Sequence, residues 1–363
     1  MPTPHPIDTP QLRERVQTAL DENLAHQREV LHELGGQVAH LVDEVGALLT
    51  GGKRLRAAFL YWGYRALGGQ DSPALIRAAS SMELFQAAAL LHDDVMDDSD
   101  LRRGRPTAHR TFAASHREHA WSGESARFGH AAAILAGNLC LTWCDSTFST
   151  SGLPADEIAS ARGEFDTMRT QLMGGQYLDV LDAAQGWEGL DHAERLERSR
   201  TVIRYKSAKY SVEQPLLIGA RAAGAGTDTL TGLSAYGISL GEAFQIRDDV
   251  LGVYGDPQTT GKPAGDDLRE GKRTVLIAHA LVLGTEQDRA TLLDLLGRPD
   301  LTDEQVTVCR DLLERVGAVS ATEEMISATA GAALKALGAT PGLTDEGRAA
   351  LADLVAISTA RTT

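Results

Sequence analysis

Two aspartate-rich segments carry the residues best suited to chemistry. LLHDDVMDDSDLRRGRP supplies Asp93, Asp94, Asp97, Asp98 and Asp100, followed by Arg102, Arg103 and Arg105. FQIRDDVLG supplies Asp248 and Asp249, with Phe244 and Gln245 one turn earlier. At about 3.6 residues per helical turn, Asp93 and Asp97 stack on one face with Asp94 beside them. Carboxylates this close repel: a unit pair at about 4 Å costs roughly 4 kcal/mol at an effective dielectric near 20. Cations must therefore sit among them. Magnesium suits the role, because it takes one or two carboxylates and completes its shell with water and substrate phosphates. The arginines point to an anionic substrate as well. A merely solvated acidic patch fits poorly, since negative charge at a helix C-terminus opposes the helix dipole and the second segment repeats the device. The chemistry indicated is the handling of a magnesium-bound diphosphate.

Basic residues complete the picture. Lys53 and Arg56 in GGKRLR stand three apart and share a helix face, while Arg54 points elsewhere. Cations at a helix start are disfavoured by the dipole, and the adjacent Gly51-Gly52 lets a phosphate approach the backbone. Lys262 and Lys272 lie in YGDPQTTGKPAGDDLREGKRT, read as a flexible loop suited to act as a closing lid.

DDVMD followed by RRG, then FQ-x-x-DD, resembles the trans-polyprenyl diphosphate synthases, from Gly51 to about Thr274 and in the family's order. The resemblance implies that isopentenyl diphosphate condenses head-to-tail with an allylic diphosphate through an allylic cation. Asp93 and Asp97 would ligate two magnesium ions and Asp248 a third. Lys53, Arg56, Gln86 and Arg103 would bind isopentenyl diphosphate. Arg102, Lys206, Ser207, Gln245, Lys262 and Lys272 would bind the allylic diphosphate. Asp93, Asp94, Asp97, Asp248, Asp249, Lys206 and Lys262 form the expected catalytic set. Gly175, Gln176 and Asp179 resemble the family's mid-chain GQxxD, with helix packing an alternative role for the glycine.

Three departures stand out. Gly252 replaces the aspartate usual four residues after Asp248, Asn138 replaces an aspartate, and Ser207 replaces a threonine. Released diphosphate is the expected base for the final proton, and His92 the rival. Product length is expected to depend on the helix beneath the first patch. Ala88 and Ala89 lie five and four residues before Asp93; in the family an aromatic at the fifth position tends to stop growth at fifteen carbons, and that floor is absent here. Phe85, one turn deeper by about 4.5 Å, is the next candidate. This predicts geranylgeranyl diphosphate. Two rival classes are a class I terpene cyclase and a non-catalytic subunit of a heteromeric synthase. Lys53, Arg56 and Arg103 count against the first, and the retained Asp93, Asp97 and Asp248 against the second.

These groups must be positioned by helices. Alanine and leucine recur at helical spacing, and alternating strand patterns are almost absent. The expected fold is all-α: one isoprenoid-synthase-type bundle around a central cavity, spanning 11–363 after a disordered tail at 1–10. At 363 residues two domains are possible by length, but no linker appears. The net charge of −15 argues against nucleic acid and anionic membranes as partners. No run of membrane-spanning length is found, and the proline-rich start lacks the apolar core of a signal peptide. Cys140, Cys144 and Cys309 form neither a disulfide framework nor a zinc set and are read as buried thiols. The expected setting is cytoplasmic, and the resemblance implies a homodimer.

Helices are expected over the segment beginning PQLRERVQ, after GGKRLR up to Gly68-Gly69, from Ser72-Pro73 to about Asp98, from Pro154 onward, and from Thr227 to Tyr254. AASHREHAWSGESARFG is read as a partly helical insertion, Pro215 as a kink, and the chain beyond Thr274 as packing helices.

Overall fold

A computed structural model describes residues 11–187, 189–255, 265–298 and 300–359. The described residues are overwhelmingly helical; the strands among them are β1 (Leu101–Arg102) and β2 (Arg105–Pro106). All-α is therefore the fold. The chain forms two compact units. The first comprises the described residues up to Ala161 with Gly219–Gly224, the second Arg162–Ile218 and those from Ala225 onward.

The first unit contains α1 (Leu12–His32), α2 (Ala39–Leu49), α3 (Leu55–Arg65), α4 (Pro73–Met96), α5 (Ala108–Glu118), α6 (Ser125–Ser149) and the start of α7 (Ala155–Gln185). On α1, Leu12, Val16, Leu20 and Leu24 form a buried stripe at four-residue spacing, the signature of an amphipathic helix. The central element is α4. Ser72 caps it, its side chain accepting from the Leu75 amide at 3.1 Å, and Pro73 occupies a first-turn position where a missing N–H costs nothing. Its small residues, Ala78, Ala79, Ala87 and Ala88, are buried, as are Ala132, Ala133 and Ala136 of the neighbouring α6. At Gly137 a Cβ would fall 2.5 Å from His92 Nε2, so glycine there admits the imidazole against α6. Against the sequence reading, α4 does have membrane-spanning length, with a mean hydropathy of 1.2 over its apolar window. However, 72% of that window is buried within the protein, as in a core helix.

The second unit holds the rest of α7, α8 (His192–Val202), a π-helical run (Ile203–Glu213), most of α9 (Gln214–Ala222) and α10 (Thr227–Tyr254). Then follow α11 (Asp266–Arg269), α12 (Val275–Leu283), α13 (Glu286–Leu295), α14 (Asp303–Arg315), α15 (Ala318–Ala339) and α16 (Asp345–Thr359). Along α10, Cβ atoms at Gly237 and Gly241 would lie 2.6 Å from the Cα atoms of Glu213 and Ala208. Absence of side chains there lets α10 lie directly on the π-helical backbone. The widened winding ends just before Pro215, which has no N–H to continue the ladder. Where a kink was expected at the proline, the helix is instead rewound upstream of it.

Other boundaries follow the expectations, α10 among them. The polar stretch is helical except for a turn between α5 and α6. In the loop after Tyr254, residues 266–269 form a helical turn. The reading missed α2, whose Val42, Val45 and Leu49 are buried at helical spacing.

Candidate active site

In the first unit, α4 ends at the aspartates. The Asp97 amide donates to the Asp93 carbonyl at 2.8 Å, and Asp98 turns left-handed, with φ 50°. The chain then folds into the β1–β2 hairpin, pairing Leu101 with Pro106 and Arg102 with Arg105. Its two turn residues, Arg103 (φ 54°) and Gly104 (φ 73°), are both left-handed, as a two-residue turn matched to strand twist requires. Arg102 is thereby laid back on the helix end. Its Nε donates to Asp94 Oδ1 at 2.9 Å, its Nη2 also meets that oxygen, and Asp93 Oδ2 lies 3.7 Å from Nη2. Asp94 is buried, while Asp93 and Asp97 are half-buried on the neighbouring face.

Arg103 goes the other way. Its Nη1 donates to the Leu48 carbonyl at 3.1 Å, and its guanidinium lies over Gly52, 3.5 Å from where a Cβ would be. Burial lowers its pKa, as do the charges of Arg54, Arg102 and Arg56, against the opposing pull of Glu83. A basic locus thus forms at the start of α3. Within it Arg54 is turned away as expected, into a buried pair with Glu83 at 3.3 Å. Glu83 also accepts from the Ala57 amide at 3.1 Å, capping α3. Sequence reasoning missed Glu83, because a carboxylate inside an apolar helix announces no partner. Lys53 is exposed, Arg56 buried and Gln86 half-buried. Phe85 and Ala88 are fully buried and Ala89 half-buried on α4. His92 has its Nε2 3.3 Å from the Ile134 carbonyl, a packing position that fits poorly with a free general base. Asn138 is exposed on α6.

In the second unit, Lys206 Nζ pairs with Asp179 Oδ2 at 2.5 Å. Gly175 makes this possible: a Cβ there would fall 2.4 Å from the Tyr205 carbonyl carbon and 2.5 Å from the Lys206 nitrogen. Close packing of α7 on the π-helical run, the alternative role for this glycine, is what the structure shows. Ser207, beside Lys206, is buried. On α10, Gln245 donates to Asp249 Oδ1 at 2.9 Å, with Asp248 half-buried alongside. Asp249 is buried and pushed up to about 8, first by burial and then by Asp267, with Asp248 adding to the shift and Gln245 and Lys272 opposing it. Asp267 belongs to α11, and Lys272 Nζ lies 3.4 Å from it and 2.5 Å from Glu270. Asp267 was not singled out in the sequence. It is brought to Gly252, where a Cβ would lie 1.9 Å from its Oδ2. Lys262 lies outside the described residues.

A divalent cation fits both donor sets. Both sets offer hard carboxylate oxygens, and at the second the charges of Asp267 and Asp248 act on the buried Asp249, with Lys272 opposing them among the described residues. Cys140, Cys144 and Cys309 are buried free thiols.

The polyprenyl synthetase family profile matches residues 39–313. The chain is 36% identical to geranylgeranyl pyrophosphate synthase of Corynebacterium glutamicum, solved with isoprenyl diphosphate and magnesium. That match covers 96% of this chain and 98% of the other, with a TM-score of 0.89. It is 32% identical to geranylfarnesyl diphosphate synthase of Aeropyrum pernix over 80% of this chain and 82% of that one. It is 37% identical to farnesyl diphosphate synthase of Escherichia coli over 70% and 77%.

Proposed function

From the premise that the chain belongs to the polyprenyl synthetase family and is a head-to-tail prenyltransferase, we propose that it extends an allylic diphosphate with isopentenyl diphosphate to make geranylgeranyl diphosphate. The observation that carries the reading is the division of the RRG arginines, Arg102 onto the aspartates and Arg103 over the Gly51–Gly52 turn. One turn of chain thereby serves two anion-handling groups, which a single-diphosphate enzyme such as a terpene cyclase does not need.

In this reading Asp93, Asp97 and Asp248 would hold magnesium, three ions by the family resemblance. Magnesium, when bound, supplies positive charge to the departing diphosphate. Arg102, Lys206, Ser207, Gln245, Lys262 and Lys272 orient the allylic diphosphate and take up charge as its carbon–oxygen bond ionises. Asp94 holds Arg102 in place, and Asp179 does the same for Lys206. Lys53, Arg56, Gln86 and Arg103 hold isopentenyl diphosphate so that its double bond attacks the cation. Asp249, near Gln245 and Asp267, supports the second carboxylate set. Phe85 limits growth, with Ala88 and Ala89 leaving room above it.

Residues 11–363 act as one domain. Support comes from the family match running through both compact units and from the first unit taking Gly219–Gly224 out of the second unit's sequence. A homodimer is supported by the exposed Ile134 and Leu135 on α6. The setting is cytoplasmic.

The test is steady-state kinetics with magnesium, labelled isopentenyl diphosphate and each allylic primer. Arg102→Gln is expected to raise KM for the primer, and Arg103→Gln to raise KM for isopentenyl diphosphate. Equal effects of both variants on both substrates would overturn the division of roles. No condensation by the folded chain alone would favour the non-catalytic subunit.

A further inference from the structure

Beyond the carboxylate sets lies a third group of ligand-type side chains. Asp98 follows α4, His109 is on α5 and His130 on α6. One ligand atom from each lies within 4.8 Å of the others, and among the described residues no other such trio of histidine, cysteine or acidic side chains occurs. Asp98 Oδ1 is 3.8 Å from Nε2 of His109 and 3.8 Å from Nε2 of His130.

Both imidazole Nε2 atoms are shielded from solvent and have no hydrogen-bond partner. A buried ring nitrogen without a partner costs stability. His109 is 1% exposed, and its other nitrogen, Nδ1, is 3.2 Å from the Thr107 hydroxyl. That contact fixes the ring with Nε2 toward His130 and Asp98, as an outer hydrogen bond does for metal-bound histidines. The two rings stand 5.3 Å apart, tilted by 47°. The backbone turns left-handed at Asp98, and the carboxylate there lies within 3.8 Å of both imidazoles. Arg110 is 3.0 Å from Asp98 Oδ1 but also 2.7 Å from Asp100, so it keeps a carboxylate if Asp98 swings toward the histidines.

We propose that Asp98, His109 and His130 form a zinc-type transition-metal site, distinct from the magnesium ligands. Two imidazoles, which are borderline donors, beside a single hard carboxylate select zinc or cobalt over magnesium. Tetrahedral ligation with bonds of about 2.1 Å needs donor atoms about 3.4 Å apart, so a small inward movement closes the site. Water takes the fourth position on the exposed Asp98 side. Burial, with help from Arg110 and His130, pushes His109 down to about 4, which keeps it in the neutral, ligating form. The bound metal ties α5 and α6 to the segment from which the Arg102–Arg103 hairpin springs, a structural cross-link and no part of the prenyl-transfer chemistry.

The test uses untagged, full-length protein stripped with chelator and titrated with Co2+, read by the visible ligand-field bands of tetrahedral cobalt. About one equivalent should bind, persist in excess Mg2+ and be displaced by Zn2+. Zn2+ should raise the Tm of the wild type. His130→Ala, at a half-exposed side chain, should keep the fold and its magnesium-supported activity. It should weaken Co2+ binding roughly tenfold or more and abolish the Zn2+-dependent rise in Tm. Asp98→Asn provides a second folded variant with the same expected direction. Absence of tetrahedral bands in the wild type, displacement of cobalt by Mg2+, or bands undiminished in both variants would overturn the proposal.

Discussion

A Cβ at position 252 would lie 1.9 Å from Oδ2 of Asp267. The carboxylate that the family resemblance places on α10 is absent, and a carboxylate from α11 stands in the space its side chain would need. Restoring the aspartate is therefore expected to harm the protein. Gly252→Asp should displace the Asp267 carboxylate and set a second carboxylate beside it, lowering the Tm of the metal-free protein modestly through like-charge repulsion, and raise the Mg2+ concentration needed for half-maximal rate. Asp267→Ala should leave Tm nearly unchanged and weaken the Mg2+ requirement curve roughly tenfold. Combining Gly252→Asp with Asp267→Gly should recover part of both losses. An active, stable Gly252→Asp with Asp267 intact would refute the exchange.

Gly175 fixes how closely α7 approaches the backbone at Tyr205 and Lys206. Gly175→Ala meets atoms at 2.4 Å and 2.5 Å and must push α7 away, separating Asp179 from Lys206. Thermal unfolding should show a loss of about 1–3 kcal/mol, with kcat falling in the same variant. Lys206→Ala should reduce kcat roughly a hundredfold, as expected for removal of a group that stabilises transition-state charge, with little change in Tm. Equal kcat for Gly175→Ala and the wild type would show that the Lys206–Asp179 pair does not need this contact.

Phe85 is 1% exposed on α4. Truncation to alanine should cost about 3–5 kcal/mol of stability and, if Phe85 is the floor, shift products beyond twenty carbons. Chain-length analysis of the released alcohols reads this directly. An unchanged distribution from folded Phe85→Ala would assign the residue to the core alone.

Asp288 caps α13 with Thr285 and receives Arg315 Nη2 at 2.7 Å. The guanidinium, followed by the Thr285 amide and hydroxyl, holds this carboxyl below its ordinary value of 3.8. A depressed carboxylate pKa stabilises the fold fully above the ordinary value and loses that contribution as pH falls through the folded one. Asp288→Asn should therefore lower Tm at pH 7, and the gap from wild type should narrow below about pH 4. A gap independent of pH would mean that the ionised form contributes nothing.

Much of the candidate site was legible because its signals are local. Asp93 with Asp97 and Gln245 with Asp249 are one-turn relationships, and RRG is a turn whose left-handed Arg103–Gly104 pair serves strands on either side. Lys206 and Asp179 were both legible, but not as partners. They are 27 positions apart, and their meeting depends on a glycine whose packing role only neighbouring backbone reveals. The π-helical run carried no periodic signal of its own, since its residues are read equally well as α-helix until Pro215 removes a donor.

The sequence by itself determined the helical class, the carboxylate spacing and the basic residues flanking Gly51–Gly52, because apolar periodicity and one-turn contacts need no knowledge of the rest of the chain. Tertiary structure alone decided that Glu83 receives Arg54, that Asp267 fills the place at Gly252, and that His109 and His130 turn unpartnered nitrogens toward Asp98. Each of these joins separate elements whose approach is set by which small residues let helices close up. That is a property of packed surfaces, and no local spacing encodes it.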